Sequence, residues 1–285
     1  MAAAHRRVWL VTNSRSGSNA ADSQERLLQS FAAAGVETVR VSSFPDDAAP
    51  AAETLAETGN PVLAIYTGDG SVNSMVGALD GWEGQVLVLP GGTKNLLAQR
   101  LHGEADAGEI IARFGRGAMR PVPLKVIATD AGIALVDLLA GPGASWQAVR
   151  EAMRERDLAA IAGSASEAIG VTTAGPGVRC LEPPLGAEEG YPLLKLMPTH
   201  RGIQIDAYHA EGLGDYLAQG WALLRREFRS GPHDRLGLVD EVSLAKADCT
   251  PIDVLLDGEA HQVADRSAFT LVEHPTLFLA SDHGY

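Results

Sequence analysis

Residues 62–76, Val-Leu-Ala-Ile-Tyr-Thr-Gly-Asp-Gly-Ser-Val-Asn-Ser-Met-Val, change periodicity halfway along. Val62 to Tyr66 is an unbroken apolar run, with the length and composition of a buried strand. Thr67-Gly68-Asp69-Gly70 ends it. Ser71 is a good N-cap, and Val72, Met75, Val76 and Leu79 follow at i, i+3, i+4 and i+7, which predicts a helix from Ser71. Strand, glycine turn and helix N-terminus together make an anion site. Glycines let backbone N–H groups approach closely, and the helix dipole adds partial positive charge. Asp69 stands where a carboxylate can reach a phosphate-bound Mg²⁺. Asp-Gly alone is a common turn, but here the unit recurs. Gln85–Leu89 is a second apolar strand, Pro90-Gly91-Gly92-Thr93-Lys94-Asn95 a second glycine turn, and Leu96–Leu101 opens a second helix.

The same alternation runs back to the start. Val8–Thr12 reads as a strand and Asn13-Ser14-Arg15-Ser16-Gly17-Ser18 as a polar loop. Residues 22–34 read as a helix, with Leu27, Leu28 and Phe31 on one face and Gly35 as its stop. Val36–Val41 is another strand, 42–47 a loop and 48–58 an alanine-rich helix. Repeated β-α units predict an α/β domain with a parallel, Rossmann-like sheet. Ligands of such sheets bind beyond the carboxyl ends of the strands. The loops at 13–18, 42–47, 67–71 and 90–95 all fall there.

Near residue 120 the pattern changes. Arg120-Pro121-Val122-Pro123 is the expected crossing between domains. Strand-like runs then dominate, at 124–128, 133–139, 178–181, 193–197, 203–207, 241–245, 252–256 and 269–272. Helices are expected over 145–157, continuing to Ile169, and over 214–228, where Leu217, Trp221, Leu224 and Phe228 share a stripe. Two domains are expected: an α/β domain over residues 1–122, and a β-rich antiparallel sandwich over 123–285 whose last strand is free to return to the first.

The 285 residues suffice for two cores. A net charge of −13 argues against nonspecific nucleic-acid binding and against a polybasic grip on anionic lipid. No apolar run approaches the ~18 residues of a membrane span. Met1–Arg7 lacks the apolar core of a secretory signal, so the cytosol is expected. Cys180 and Cys249 read as buried free thiols in a reducing compartment. The eight histidines show no metal-ligand spacing, and no Gly-x-Ser-x-Gly elbow supports a hydrolase triad.

Taken together, the turns resemble the catalytic domain of the diacylglycerol kinase and sphingosine kinase superfamily, in its small soluble bacterial lipid-kinase branch. Asn13-Ser14-Arg15-Ser16-Gly17 is similar to the family's opening Asn-Pro-x-Ser-Gly loop. Ser43 falls where the family often has a nucleotide-contacting threonine. Gly68-Asp69-Gly70-Ser71-Val72-Asn73-Ser74 resembles its Gly-Asp-Gly-Thr-x-Asn-Glu core. Leu89-Pro90-Gly91-Gly92-Thr93-Lys94-Asn95 resembles its Pro-x-Gly-Thr-x-Asn loop, with Thr93 in the phosphate-contacting place. Asp257-Gly258-Glu259 resembles its Asp-Gly-Glu.

The resemblance implies ATP-dependent phosphorylation of a lipid hydroxyl, by a nucleotide domain followed by a lipid-substrate domain. It implies ATP and Mg²⁺ as cofactors, and a lipid substrate met at the inner membrane surface without a transmembrane segment or nucleic acid; a homodimer is compatible with it. The implied nucleotide site holds Asn13, Ser14, Arg15, Ser16, Gly17, Ser43, Gly68, Asp69, Gly70, Ser71, Val72, Asn73, Ser74, Gly92, Thr93 and Asn95. In it the N–H groups of Gly17, Gly68, Gly70 and Gly92 cradle phosphates, and Asp69 helps hold the metal. Glu259 or Asp257 is implied as the carboxylate that orients or deprotonates the attacking hydroxyl. From the residues alone, Asp-Gly-Glu reads as a hairpin turn.

Some positions depart from the family pattern. Thr67 replaces the first glycine of Gly-Gly-Asp-Gly, and Ser14 replaces a proline. Pro123-Leu124 stands where the family usually reads Asp-Leu or Asp-Ile. His200-Arg201-Gly202 stands where many members have the Asp-Asp-Gly of a structural Mg²⁺ site, so that site is not expected here. Two alternatives follow. A catalytically weakened nucleotide- or lipid-binding regulator fits the change at Pro123. NAD kinases share the Gly-Gly-Asp-Gly motif, but their downstream Asn-Ala-Pro signature is not found. Trp146 lines a lipid pocket or packs in the core; Arg150, Arg154 and Arg156 touch headgroups or form a solvated face with Glu151 and Glu155.

Overall fold

The computed structural model describes residues 6–13, 20–59, 61–79, 81–92, 95–141, 177–209 and 233–281. The helices expected at 145–169 and 214–228, with Trp146 and the arginines after it, lie outside these residues. The chain divides into two compact units. One runs to Leu124 and takes in the residues from Glu273 onward; the other is Lys125–Val272.

The first unit begins β1 (Arg7–Asn13), α1 (Ala20–Ala33), β2 (Glu37–Phe44), α2 (Ala52–Glu57), β3 (Val62–Thr67), α3 (Asp69–Val76) and β4 (Gln85–Pro90). It continues with α4 (Leu96–His102), α5 (Ala107–Gly115) and the start of β5 (Arg120–Thr129). Strands pair in the order β2-β1-β3-β4, all parallel. Leu277 and Phe278 run parallel beside Gln85 and Val86. Val8, Leu10, Ala64, Leu87 and Leu89 pack with Leu27 and Phe31 of α1 and Ile110, Ile111 and Phe114 of α5. Trp9, Val11, Leu63, Ile65, Val86 and Val88 alternate with them and are buried too. Both faces of β1, β3 and β4 are therefore covered, which is why these strands read as continuous apolar runs.

Local chemistry moved several boundaries. α2 covers only Ala52–Glu57, with Ala51 as an extended N-cap, because Pro50 disfavours helical backbone before it. α3 starts at Asp69, two residues ahead of Ser71, and its N-cap is Gly68 at φ −80°, ψ 162°. Asp69 thereby becomes a first-turn acid, which the helix dipole favours. α5 was not anticipated, although its signal is present. Asp106 Oδ1 accepts from the Glu109 N–H at 2.8 Å, an Asp-x-x-Glu start ahead of the buried Ile110, Ile111 and Phe114. Arg120-Pro121-Val122-Pro123 forms the start of strand β5, and the first unit ends just after it, at Leu124. Val122 and Leu124 are buried while Pro121 and Pro123 are exposed, near a strand start where a missing donor is tolerated.

The second unit continues β5 into β6 (Gly132–Ala134), β7 (Leu138–Ala140), β8 (Val178–Glu182), β9 (Leu193–Thr199) and β10 (Gly202–Tyr208). It closes with β11 (His233–Val239), β12 (Glu241–Lys246), β13 (Ile252–Leu256), β14 (Glu259–Val263) and the first half of β15 (Arg266–Ala280). One layer is antiparallel, in the order β11-β10-β9-β7-β13-β14. In the other, β12 lies antiparallel between β8 and Arg266–Thr270 of β15. Leu138, Leu196, Ile205 and Val254 of the first layer share a core with Cys180, Leu244 and Phe269 of the second. The architecture is the expected one: a parallel α/β sheet and an antiparallel sandwich. β11 and β14 were not anticipated, since β14 is exposed at four successive positions and shows no alternation. Cys249, expected to be buried, is exposed, in a turn at φ 55°.

Candidate active site

In the first unit, parallel register aligns the carboxyl ends of four strands. Asn13 lies opposite Phe44, Thr12 opposite Ser43 and Tyr66, and Thr67 opposite Pro90. Asn13, Ser43, Gly68 and Gly91 therefore stand along one edge of the sheet. Ser14, Arg15, Ser16, Gly17 and Thr93 lie outside the described residues. Ser43 belongs to a closed turn: its N–H donates to Asp47 Oδ2 at 2.6 Å, and the Asp47 N–H donates back to its carbonyl at 2.8 Å.

The two glycine turns touch backbone to backbone. A Cβ on Gly92 would sit 2.6 Å from Gly68 Cα, and one on Gly91 would sit 2.5 Å from the Tyr66 carbonyl carbon. Glycine is needed here for close approach. Asn95 takes up a left-handed conformation, φ 52°. Its Oδ1 accepts from the Gly92 N–H at 2.6 Å, and its Nδ2 donates to the Gly92 carbonyl at 2.9 Å. The Gly92 N–H, expected to face phosphate, is thus bonded inside its own loop.

Asp69 is engaged as well. Oδ2 accepts from the Leu96 N–H at 3.0 Å and Oδ1 from the Leu97 N–H at 2.9 Å. It caps α4 from another helix. Gly70, Ser71 and Asn73 are half-buried in α3, Ser74 is exposed and Val72 is fully buried. Among the described residues no three His, Cys, Asp or Glu side chains group to hold a metal. With both Asp69 oxygens on backbone amides, this donor set does not fit a protein-held Mg²⁺.

In the second unit, Asp257 and Gly258 form the two-residue turn between Leu256 and Glu259, with φ 49° and 88°, the pattern of a primed hairpin turn. The Asp257 carboxylate accepts from three consecutive amides: Leu135 at 2.7 Å, Val136 at 2.8 Å and Asp137 at 3.0 Å. Its own N–H donates to the Asp137 carbonyl at 2.9 Å. This knot splits the apolar run 133–139 into β6 and β7. Burial pushes the Asp257 carboxyl up to about 7; the three amides pull it down and the nearby Asp137 pushes it up further. Asp137 pairs with Lys195 Nζ at 3.6 Å. Glu259 opens β14 and is exposed.

Sequence reasoning missed four features. The 135–137 amides, the Asp137–Lys195 pair and the Asp69 cap all join residues far apart in the chain, and no local pattern announces them. A fourth is His102, buried on α4, whose Nδ1 lies 2.9 Å from Ser281 Oγ. Burial holds it down to about 4.

No curated protein matches this chain in sequence. Three solved structures from Bacillus anthracis str. Sterne share its fold over nearly the whole of both chains. A candidate diacylglycerol kinase covers 100% of each chain at 14% identity with a TM-score of 0.65. A protein described as a diacylglycerol kinase covers 99% of each at 15% identity and 0.64, and a second candidate covers 98% of each at 13% and 0.63. Residues 7–127 match the model of the diacylglycerol kinase catalytic domain. That segment contains the aligned strand ends and both glycine turns, and it is this part of the chain that resembles the diacylglycerol kinase catalytic domain.

Proposed function

We propose that this chain is an ATP-dependent lipid kinase that transfers the γ-phosphate to a hydroxyl of diacylglycerol or of a related sphingoid or ceramide lipid. The observation that carries the proposal is the domain match over residues 7–127, inside which Asn13, Ser43, Gly68 and Gly91 share one carboxyl edge. Phosphoryl transfer asks a protein mainly for positioning and charge neutralisation. The first unit would bind nucleotide at that edge through the turns after β1, β2, β3 and β4. Gly68 and Gly70 are the amides best placed in sequence to meet phosphate, with the 14–17 loop and Thr93 as further contacts. Metal would arrive on the nucleotide.

The second unit would bind the lipid, at the inner face of a membrane. Glu259 is proposed as the catalytic base. It is the exposed acid of the Asp-Gly-Glu turn, whereas Asp257 has its carboxylate folded inward. A base in this reaction accepts the hydroxyl proton as the oxygen attacks phosphorus.

Glu259→Gln tests the assignment. Turnover should fall at least ~100-fold while ATP affinity stays within about twofold. Equal turnover in the variant would remove Glu259 from the chemistry. A second reading is favoured by one observation: Asp69 and Asp257 both have their carboxylates hydrogen-bonded to backbone. A regulator that binds nucleotide or lipid without turnover would bind ATP normally and label no product.

A further inference from the structure

We propose that Asp69 is a positioning residue, an internal anion that clasps α4 to the first glycine turn, and not a ligand of Mg²⁺.

Helix α4 cannot cap itself. The residue in its N-cap position, Asn95, is left-handed and makes no side-chain bond to the helix. Its amide is turned back onto Gly92 instead. The first N–H groups of a helix have no partner within it, so those of Leu96 and Leu97 need an outside acceptor. Asp69 supplies one with both oxygens, at 3.0 and 2.9 Å. Asp69 itself sits in the first turn of α3, immediately after Gly68, whose Cα blocks any side chain at Gly92.

Two contacts therefore join the two turns into one clasp, Gly68 against Gly92 and Asp69 on Leu96 and Leu97, while Asn95 around Gly92 closes the second turn on itself. The place at the start of α4 that would attract a phosphate already holds a carboxylate. Nucleotide phosphates must then be held by other amides, and their geometry depends on the clasp being closed.

The role rests on the kinase proposal only where nucleotide is the readout. A metal ligand and a clasp differ in sign when metal is absent. Removing a ligand carboxylate takes a negative charge away from the phosphates, so metal-free ATP binds as well or better. Removing a clasp loosens the site, so metal-free ATP binds worse.

The experiment measures ATP binding to the full chain in EDTA and then with Mg²⁺, for wild type, Asp69→Asn and Asp69→Ala. Metal-free affinity should fall ~10-fold in Asp69→Ala, as a lost charge-assisted bond would dictate, and less in Asp69→Asn. The factor by which Mg²⁺ improves binding should stay within about twofold of wild type. Metal-free affinity equal to or better than wild type, with the Mg²⁺ enhancement gone, would overturn the proposal. If the wild type binds no ATP, the kinase proposal fails by itself, and amide hydrogen exchange decides the clasp. Exchange at Leu96 and Leu97 should quicken in Asp69→Ala while Leu63–Ile65 stay protected; unchanged exchange at Leu96 and Leu97 would overturn it. Should Asp69→Ala not fold, Asp69→Asn carries both measurements.

Discussion

Asn95 and Gly92 are hydrogen-bonded in both directions: the Gly92 N–H reaches Asn95 Oδ1 at 2.6 Å, and Asn95 Nδ2 reaches the Gly92 carbonyl at 2.9 Å. The pair forces Asn95 to φ 52°, a conformation Asn tolerates better than most residues. Asn95→Ala removes both bonds and leaves a residue strained at that φ. It should lower stability by about 2–3 kcal/mol, from roughly 1 kcal/mol per bond plus the left-handed penalty. Asn95→Gly relieves the strain but not the bonds and should fall between. Urea midpoints at unchanged slope report the difference.

Gly92 and Gly68 meet asymmetrically, and alanine substitutions should show it. A Cβ on Gly92 would be 2.6 Å from Gly68 Cα, whereas a Cβ on Gly68 would be 3.8 Å from Gly92 Cα, an ordinary contact. Gly92→Ala pushes backbone against backbone and should destabilise by about 2 kcal/mol or more. Gly68→Ala should cost under about 1 kcal/mol, the loss of a preferred N-cap residue. Equal losses in the two variants would mean that the turns do not touch as described.

Two buried groups give stability opposite pH dependences. His102 is held down to about 4 from 6.5, so the folded state resists a proton that the unfolded chain accepts. Its contribution is present above pH 6.5 and lost as pH falls toward 4, by about 3 kcal/mol at ~1.4 kcal/mol per unit. Asp257 is pushed up to about 7 from 3.8, so the folded state holds a proton that the unfolded chain releases. Its contribution is present at acid pH and lost as pH rises through 7. Urea melts at pH 4.5, 6 and 7.5 separate them. Relative to wild type, His102→Gln should lose less stability on acidification, and Asp257→Asn should lose less between pH 4.5 and 7.5.

The parallel half of the fold was legible because its inner strands β1, β3 and β4 are buried on both faces, and the apolar runs at Val62–Tyr66 and Gln85–Leu89 state this directly. The glycine turns were legible for the same reason, since each interrupts a run. The Asp69 cap on Leu96 and the Asp257 knot at Leu135–Asp137 were not legible. Each joins a carboxylate to backbone amides, which every residue type carries, across a long stretch of chain. The edge strand β14 was hidden by its exposure, and α5 by its short length, nine residues behind the Asp106 cap. The Asp-Gly-Glu turn carried two signals, hairpin and family motif. The hairpin is what the backbone of Asp257 and Gly258 adopts, and it leaves Glu259 exposed at the head of a strand.

The most direct measurement is transfer of label from γ-labelled ATP, with Mg²⁺, to a panel of diacylglycerol, sphingosine, ceramide and monoacylglycerol in mixed micelles, with NAD as a control. A labelled lipid phosphate, lost in Glu259→Gln, is the predicted result, and it names the acceptor. Labelled NAD, or no labelled product from folded protein that binds ATP, would contradict the lipid-kinase assignment.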